Sequence, residues 1–290
     1  MSSTTFKLKE YARLVRLDRP IGIYLVLWPT LWALWFAAEG IPNTLVLVIF
    51  IAGVVLMRSA GCAINDFADR KIDPHVERTA QRPLAAGTVT PKEALWVFAI
   101  LSLIAFVLVI QLNLLTILLS IPAVILAGSY PFTKRYTHLP QAYLGIAFGW
   151  AVPMSFAAVT GGVPVSSWWL FSAVVLWALA YDTMYAMTDR EDDLKIGVKS
   201  TAILFGRWDR LMVALFQVGV TASLWIAGHQ LGLSELYYCG LLIISAGFWS
   251  YQQWLIRDRD RQRCFQAFLN NHYFGLLIFL LIVAEYLLRR

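Results

Sequence analysis

TLVLVIFIAGVVLMRSAGCAINDFADRKID occupies residues 44–73. From Thr44 to Ile64 the residues are apolar almost without a break, with Arg58 the one charge among them. A run of about twenty such residues is what crosses the hydrocarbon core of a bilayer. Asn65, Asp66, Asp69 and Asp73 then follow in quick succession. Acid concentrated at the end of a membrane span needs a reason. The pattern recurs in YDTMYAMTDREDD, residues 181–193.

The rest of the chain fits a membrane setting. Of its 290 residues, 59% are hydrophobic and 14% charged, whereas a soluble domain carries nearer a quarter charged residues. Apolar windows place spans at 20–38, 44–64, 93–111, 114–131, 141–159, 167–187, 211–228, 236–255 and 266–288. The tract 93–131 is too long for one helix, and Gln111 and Asn113 mark the turn that divides it. The expected fold is all-α and polytopic, with nine transmembrane helices in one membrane-embedded domain covering 1–290. Spans 1–4 and 5–8 suggest a weak internal repeat, because each acidic motif ends the second span of its half. Phe6, Leu8, Leu14, Val15 and Leu17, set among basic residues, read as an interfacial helix rather than a signal peptide. Cys62, Cys239 and Cys264 lie far apart without a CxxC, which argues against disulfides and zinc.

Charge sets the expected orientation. Basic residues cluster before the first span and after the second, fourth, sixth and eighth, whereas the loops after spans one, three, five and seven carry no Lys or Arg. The positive-inside rule then puts the N-terminus and both acidic motifs on the cytoplasmic side. The net charge of +6 describes topology and not nucleic-acid binding.

On a helix, residues four apart share a face. Asn65, Asp69 and Asp73 keep that spacing, and so do Tyr181, Tyr185, Asp189 and Asp193. Like carboxylates at this spacing repel each other, and ionisable groups near a membrane usually face a cavity and have a function there. Two such patches suit a hard divalent cation. Magnesium fits, because it takes one or two carboxylates together with the phosphate oxygens of a substrate. A lipid with a diphosphate head would need such a site. Basic residues just beyond each motif supply the rest of a clamp: Arg78 and Arg82 in ERTAQRPLAAG, Lys195 and Lys199 in DDLKIGVKS. The first of these loops closes with TPKE, which predicts a capping box from Thr90 to Glu93 with Pro91 at the first helical position. Arg58 lies seven residues before Asn65, on the same helical face.

NDFADRKID with RTAQRPL, YPFTKRYTHLPQ, YDTMYAMTDREDD and IGVKSTAILFG together resemble the UbiA superfamily of intramembrane prenyltransferases, along essentially the whole chain. The resemblance implies nine helices around a central cavity capped by cytoplasmic loops, in a bacterial inner membrane. It implies Mg2+ held by Asn65, Asp69 and Asp73 from one side and by Asp189 and Asp193 from the other. Arg82, Lys195 and Lys199 are expected near the phosphates. The implied reaction transfers a polyprenyl group from polyprenyl diphosphate to the ring carbon ortho to the hydroxyl of 4-hydroxybenzoate, as in ubiquinone biosynthesis. Asp69, Asp189 and Asp193 are then the catalytic candidates, and Tyr185 the aromatic that steadies an allylic cation.

The acceptor's carboxylate needs its own cation, from Arg135, Lys134 or Arg58, with Arg135 preferred because arginine binds carboxylates in a two-pronged fashion. Other readings are an acceptor such as dihydroxynaphthoate or, in a different class, an ion-coupled transporter. A transporter places its acids near the bilayer midplane on broken helices, and here they sit at span ends.

Overall fold

The computed structural model describes residues 3–75 and 79–289, and all regular structure among them is helical. The helices are α1 (Ser3–Leu14), α2 (Ile21–Ala38), α3 (Thr44–Asp69), α4 (Pro91–Val109), α5 (Leu114–Ser129) and α6 (Pro140–Gly149). They continue as α7 (Ala151–Thr160), α8 (Val165–Ile196), α9 (Thr201–Phe205), α10 (Asp209–Gln230), α11 (Glu235–Leu255) and α12 (Arg261–Leu288).

Eight segments are long and apolar enough to cross a membrane. One of them, Pro140–Thr160, combines α6 and α7, which part at Trp150. Pro153 explains the break, since its ring crowds the carbonyl four residues back, at Gly149. The expected span at 236–255 is α11, 21 residues long. Its composition is too polar for it to count among the eight, so the expected total of nine rests on this helix. Its amides are nonetheless satisfied by its neighbours. Gln217 of α10 donates to Gln252 (2.8 Å), which donates to Asn270 of α12 (3.0 Å). Paired amides of this kind are tolerated between membrane helices.

α8 runs through the middle of the bundle, packed against α6, α10 and α12. Trp177, Tyr181 and Met184 of α8 are almost fully buried, in one core with Trp32 of α2 and Phe274 of α12. Where no water is available every buried donor needs a protein acceptor. Trp177 Nε1 donates to Asn271 Oδ1 (2.8 Å) and Trp32 Nε1 to the Gly275 carbonyl (3.0 Å).

The expected capping box is present. Thr90 Oγ1 accepts from Glu93 N (3.3 Å), Glu93 Oε2 accepts from Thr90 N (2.6 Å), and Pro91 opens α4. α1 lies across this loop: Lys7 and Tyr11 donate to Glu93, and Arg13 donates to the Gln81 carbonyl. Leu14 is fully buried against Ala63, Leu84, Val89 and Ala94, while Phe6, Leu8 and Leu17 stay exposed. The loop beyond the first motif is thus fixed from two sides.

Candidate active site

Two helices bring the acidic motifs to one end of the bundle. α3 has 26 residues and α8 has 32, about 39 and 48 Å at 1.5 Å per residue. Both exceed the roughly 30 Å of hydrocarbon, and in each the polar motif follows the apolar stretch at the C-terminal end. The helical register carries Asn65 and Asp69 but not Asp73. α3 stops at Asp69, and Asp73 opens a short 3-10 turn ending at His75. Pro74 fits the stop, because it has no N–H to offer the carbonyl four residues back, at the C-cap Arg70, and its ring crowds that carbonyl. Asp73 therefore reaches the site from a turn instead of the helical face expected for it. On α8, Asp182, Tyr185, Asp189 and Asp193 point to a common side, whereas Tyr181 turns to the core.

These residues line a polar cavity of about 150 Å3. Asn65, Asp69 and Asp73 face it from one wall and Asp182, Asp189 and Asp193 from another, with Arg82, Lys134 and Lys199 between. The first motif is held by ion pairs. Lys134 pairs with Asp69, and Arg82 Nη1 lies 3.1 Å from Asp73 and 3.5 Å from Asp66. Burial works against the Arg82 charge, but Asp66 and Asp73 beside it outweigh that effect and raise its pKa above the ordinary value. Among the described residues, no three His, Cys, Asp or Glu side chains converge into a ready metal cage. The oxygen-only donor set still fits a hard cation shared with a substrate's phosphates. Asp69 Oδ1 is buried beside the cavity, 3.8 Å from Arg135 and without a hydrogen-bond partner among the described residues.

A second, larger chamber of about 780 Å3 adjoins the polar one. Asn65, Arg82, Tyr130, Asp182 and Tyr185 line both. Beyond them the walls are mostly apolar, with Phe50, Val54, Leu103, Phe106, Ile121 and Met154 from α3, α4, α5 and α7. Tyr185 stands at the junction with its ring 4.7 Å from that of Phe268. Arg58 also lines this chamber, where Nη1 donates to Cys62 Sγ (2.8 Å) and the guanidinium lies 5.7 Å from the Phe148 ring.

Not every expected residue arrives at the site. Lys195 is exposed and pairs with Asp192 (3.7 Å), away from both cavities. α8 ends at Ile196 and Gly197 takes a left-handed conformation (φ 71°), so Lys195 and Lys199 do not share a helical face. Lys199 turns back and donates to the Tyr136 carbonyl (3.3 Å). Arg135 lies outside both linings, donating to the Ala68 carbonyl and standing 3.8 Å from Asp69. Arg78 falls outside the described residues. Conversely, Arg16 is a site neighbour that the spacing of motifs did not reveal. Its left-handed backbone (φ 61°) brings Nη2 within 2.6 Å of Asp66 Oδ1. Tyr130, at the junction of the chambers, was signalled only by heading the YPFTKR stretch.

The chain has many relatives. Over 277 residues it is 61% identical to the 4-hydroxybenzoate octaprenyltransferase of Methylococcus capsulatus, covering 96% of this chain and 94% of the relative. The enzyme of the same name from Escherichia fergusonii is 55% identical over 285 residues, 98% of each chain. Among solved structures, a UbiA homolog from Aeropyrum pernix without ligand superposes with a TM-score of 0.77 at 25% identity, over 92% of this chain and 97% of the homolog. A UbiA homolog from Archaeoglobus fulgidus, bound to GPP and Mg2+, shares the fold at 17% identity with a TM-score of 0.71, over 94% of this chain and 99% of the homolog. The family model for UbiA prenyltransferases matches residues 26–280. With two acidic motifs facing one cavity, and matches that run nearly end to end, this chain belongs to the UbiA prenyltransferase family.

Proposed function

We propose that this enzyme transfers a polyprenyl group from a polyprenyl diphosphate to the carbon ortho to the hydroxyl of 4-hydroxybenzoate, releasing diphosphate, in ubiquinone biosynthesis. The observation that carries the reading is the joined pair of chambers: a polar one lined by acids and cations, and a larger apolar one for a hydrocarbon chain. The relatives' name makes octaprenyl diphosphate the expected donor. The basic loops support an inner-membrane enzyme with its N-terminus and site on the cytoplasmic side.

In this reading Asn65, Asp69, Asp73, Asp189 and Asp193 would hold magnesium together with the diphosphate. When bound, the metal neutralises charge that builds on the departing diphosphate. The protein's own cations share that work, with Arg82, Lys134 and Lys199 lining the polar chamber and positioned to bind phosphate oxygens. The allylic C–O bond breaks, leaving the electron pair on the diphosphate and an allylic cation. Tyr185, at the junction, presents a ring to that cation. The ring carbon forms the new C–C bond, and its proton passes to an aspartate of the second motif or to the diphosphate. The apolar walls exclude water that would otherwise quench the cation.

For the acceptor's carboxylate, the structure favours Arg58 over the preferred Arg135. Arg58 is inside the chamber, whereas Arg135 is outside and engaged with Asp69 and Ala68. The two turns from Arg58 to Asn65 rise about 10 Å along α3, room for the ring of an acid held at Arg58 to lie between it and the diphosphate.

The test is product identity. Membranes holding this protein, given octaprenyl diphosphate and Mg2+, should yield octaprenyl-4-hydroxybenzoate by mass spectrometry. Product with dihydroxynaphthoate instead would keep the transferase and replace the acceptor.

A further inference from the structure

Arg58 lies against the bare backbone of Gly22, near the start of α2. A Cβ built on Gly22 would stand 2.5 Å from both Nε and Nη2 of Arg58 and 2.8 Å from Cζ. Being equidistant from the two nitrogens and farther from Cζ, it would sit off the Nε–Nη2 edge and not over the guanidinium face. Arg58 Nε is buried there without a hydrogen-bond partner among the described residues. A buried unpaired donor is unfavourable and rare, so its persistence points to another demand on this side chain. Gly22 itself is buried, and both residues line the apolar chamber.

We infer that Gly22 is a positioning residue for acceptor recognition: its missing side chain lets the Arg58 guanidinium dock edge-on against α2. Three contacts then fix the group. Gly22 closes one edge, Cys62 Sγ takes Nη1, and the Phe148 ring flanks it. What remains for an anion are the outer Nη hydrogens of a residue that lines the chamber. Any side chain at position 22 would push the guanidinium out of that pose. The fold should survive, because the atoms in the way are the far end of a flexible side chain rather than backbone. This inference rests on the reading of Arg58 as the carboxylate's partner.

The experiment compares Gly22→Ala, Arg58→Ala and the double variant in membranes. It measures KM for 4-hydroxybenzoate, KM for polyprenyl diphosphate, and the preference for 4-hydroxybenzoate over its uncharged methyl ester. Gly22→Ala should raise the KM for the acid by at least about 10-fold, the scale of a lost hydrogen bond to a charged group. It should leave the KM for the lipid within about twofold and collapse the acid-over-ester preference. The double variant should match Arg58→Ala alone, because coupled residues do not add. If Arg58→Ala leaves the KM for the acid unchanged, the Arg58 reading fails and the inference with it. If Arg58→Ala raises it and Gly22→Ala does not, only the Gly22 inference fails. Additive losses in the double variant also overturn it. Should Gly22→Ala fail to fold, folding of the double variant supports the predicted clash, and failure of both overturns it.

Discussion

Lys134, in the 3-10 turn after α5, is ion-paired with Asp69 at the end of α3, 65 residues earlier in the chain. The pair ties the connection between α5 and α6 to the first acidic motif. Its ammonium balances a carboxylate that is only 1% exposed. In the proposed reaction a diphosphate arriving with its cation would compete for both partners, and the ion pair would then serve as a preformed docking point.

Asp69→Asn and Asp189→Asn should each reduce turnover by at least about 100-fold, the usual scale for removing one preorganised electrostatic group. Protein level in the membrane and thermal unfolding should stay near wild type. Initial rates of product formation decide this, and a near-wild-type rate in either variant removes that aspartate from the machinery.

Arg58→Ala and Arg135→Ala separate the two candidates for the acceptor's carboxylate. Arg58→Ala should raise the KM for 4-hydroxybenzoate about 10- to 100-fold with the lipid KM little changed. Arg135→Ala should act on turnover through Asp69 and leave the KM for the acid alone. A reversed pattern would return the role to Arg135.

Lys199 and Lys195 offer a paired control on α8's end. Lys199→Ala should weaken binding of the diphosphate lipid by about 10-fold or more. Lys195→Ala should change the lipid KM by less than about twofold, because an exposed surface pair contributes little. Equal effects would mean that both lysines reach the diphosphate.

Glu285 serves stability at the opposite end of the bundle. It is 1% exposed and accepts from Ser234 N (2.7 Å) and Ser234 Oγ (2.6 Å), fixing the turn into α11 to α12. Glu285→Ala removes both hydrogen bonds to this carboxylate and should destabilise the protein by about 1–3 kcal/mol, the scale of bonds to a charged group. A lower Tm with unchanged kcat at permissive temperature is the expected signature, and an unaltered Tm would contradict it.

Hydropathy located the spans because it reads solvent, and it is silent on how far a helix runs past them. The sixth span was expected to finish at 187, and α8 continues to Ile196, since the backbone stays helical after the side chains turn polar, as the i, i+4 spacing of the second motif required. α11 showed the converse problem, its glutamines lowering the apolar signal although their partners sit on adjacent helices. In the site, i, i+4 spacing found Asn65, Asp69, Tyr185, Asp189 and Asp193 because they lie on unbroken helix. It overreached where the helix stops, at Asp73 beside Pro74 and at Lys195 before Gly197. Arg16 and Gly22 were invisible to it, because each meets α3 in a tertiary contact that no local pattern records.

A shared site for one diphosphate, bridged between the two motifs, is tested most directly by binding. Labelled geranyl diphosphate would be titrated onto the purified protein in Mg2+ or in EDTA, with Asp69→Asn and Asp189→Asn alongside wild type. Expected is tight, Mg2+-dependent binding to wild type, weakened alike by EDTA and by either substitution. Binding that ignores EDTA, or that one motif's substitution leaves intact, would contradict a site built from both.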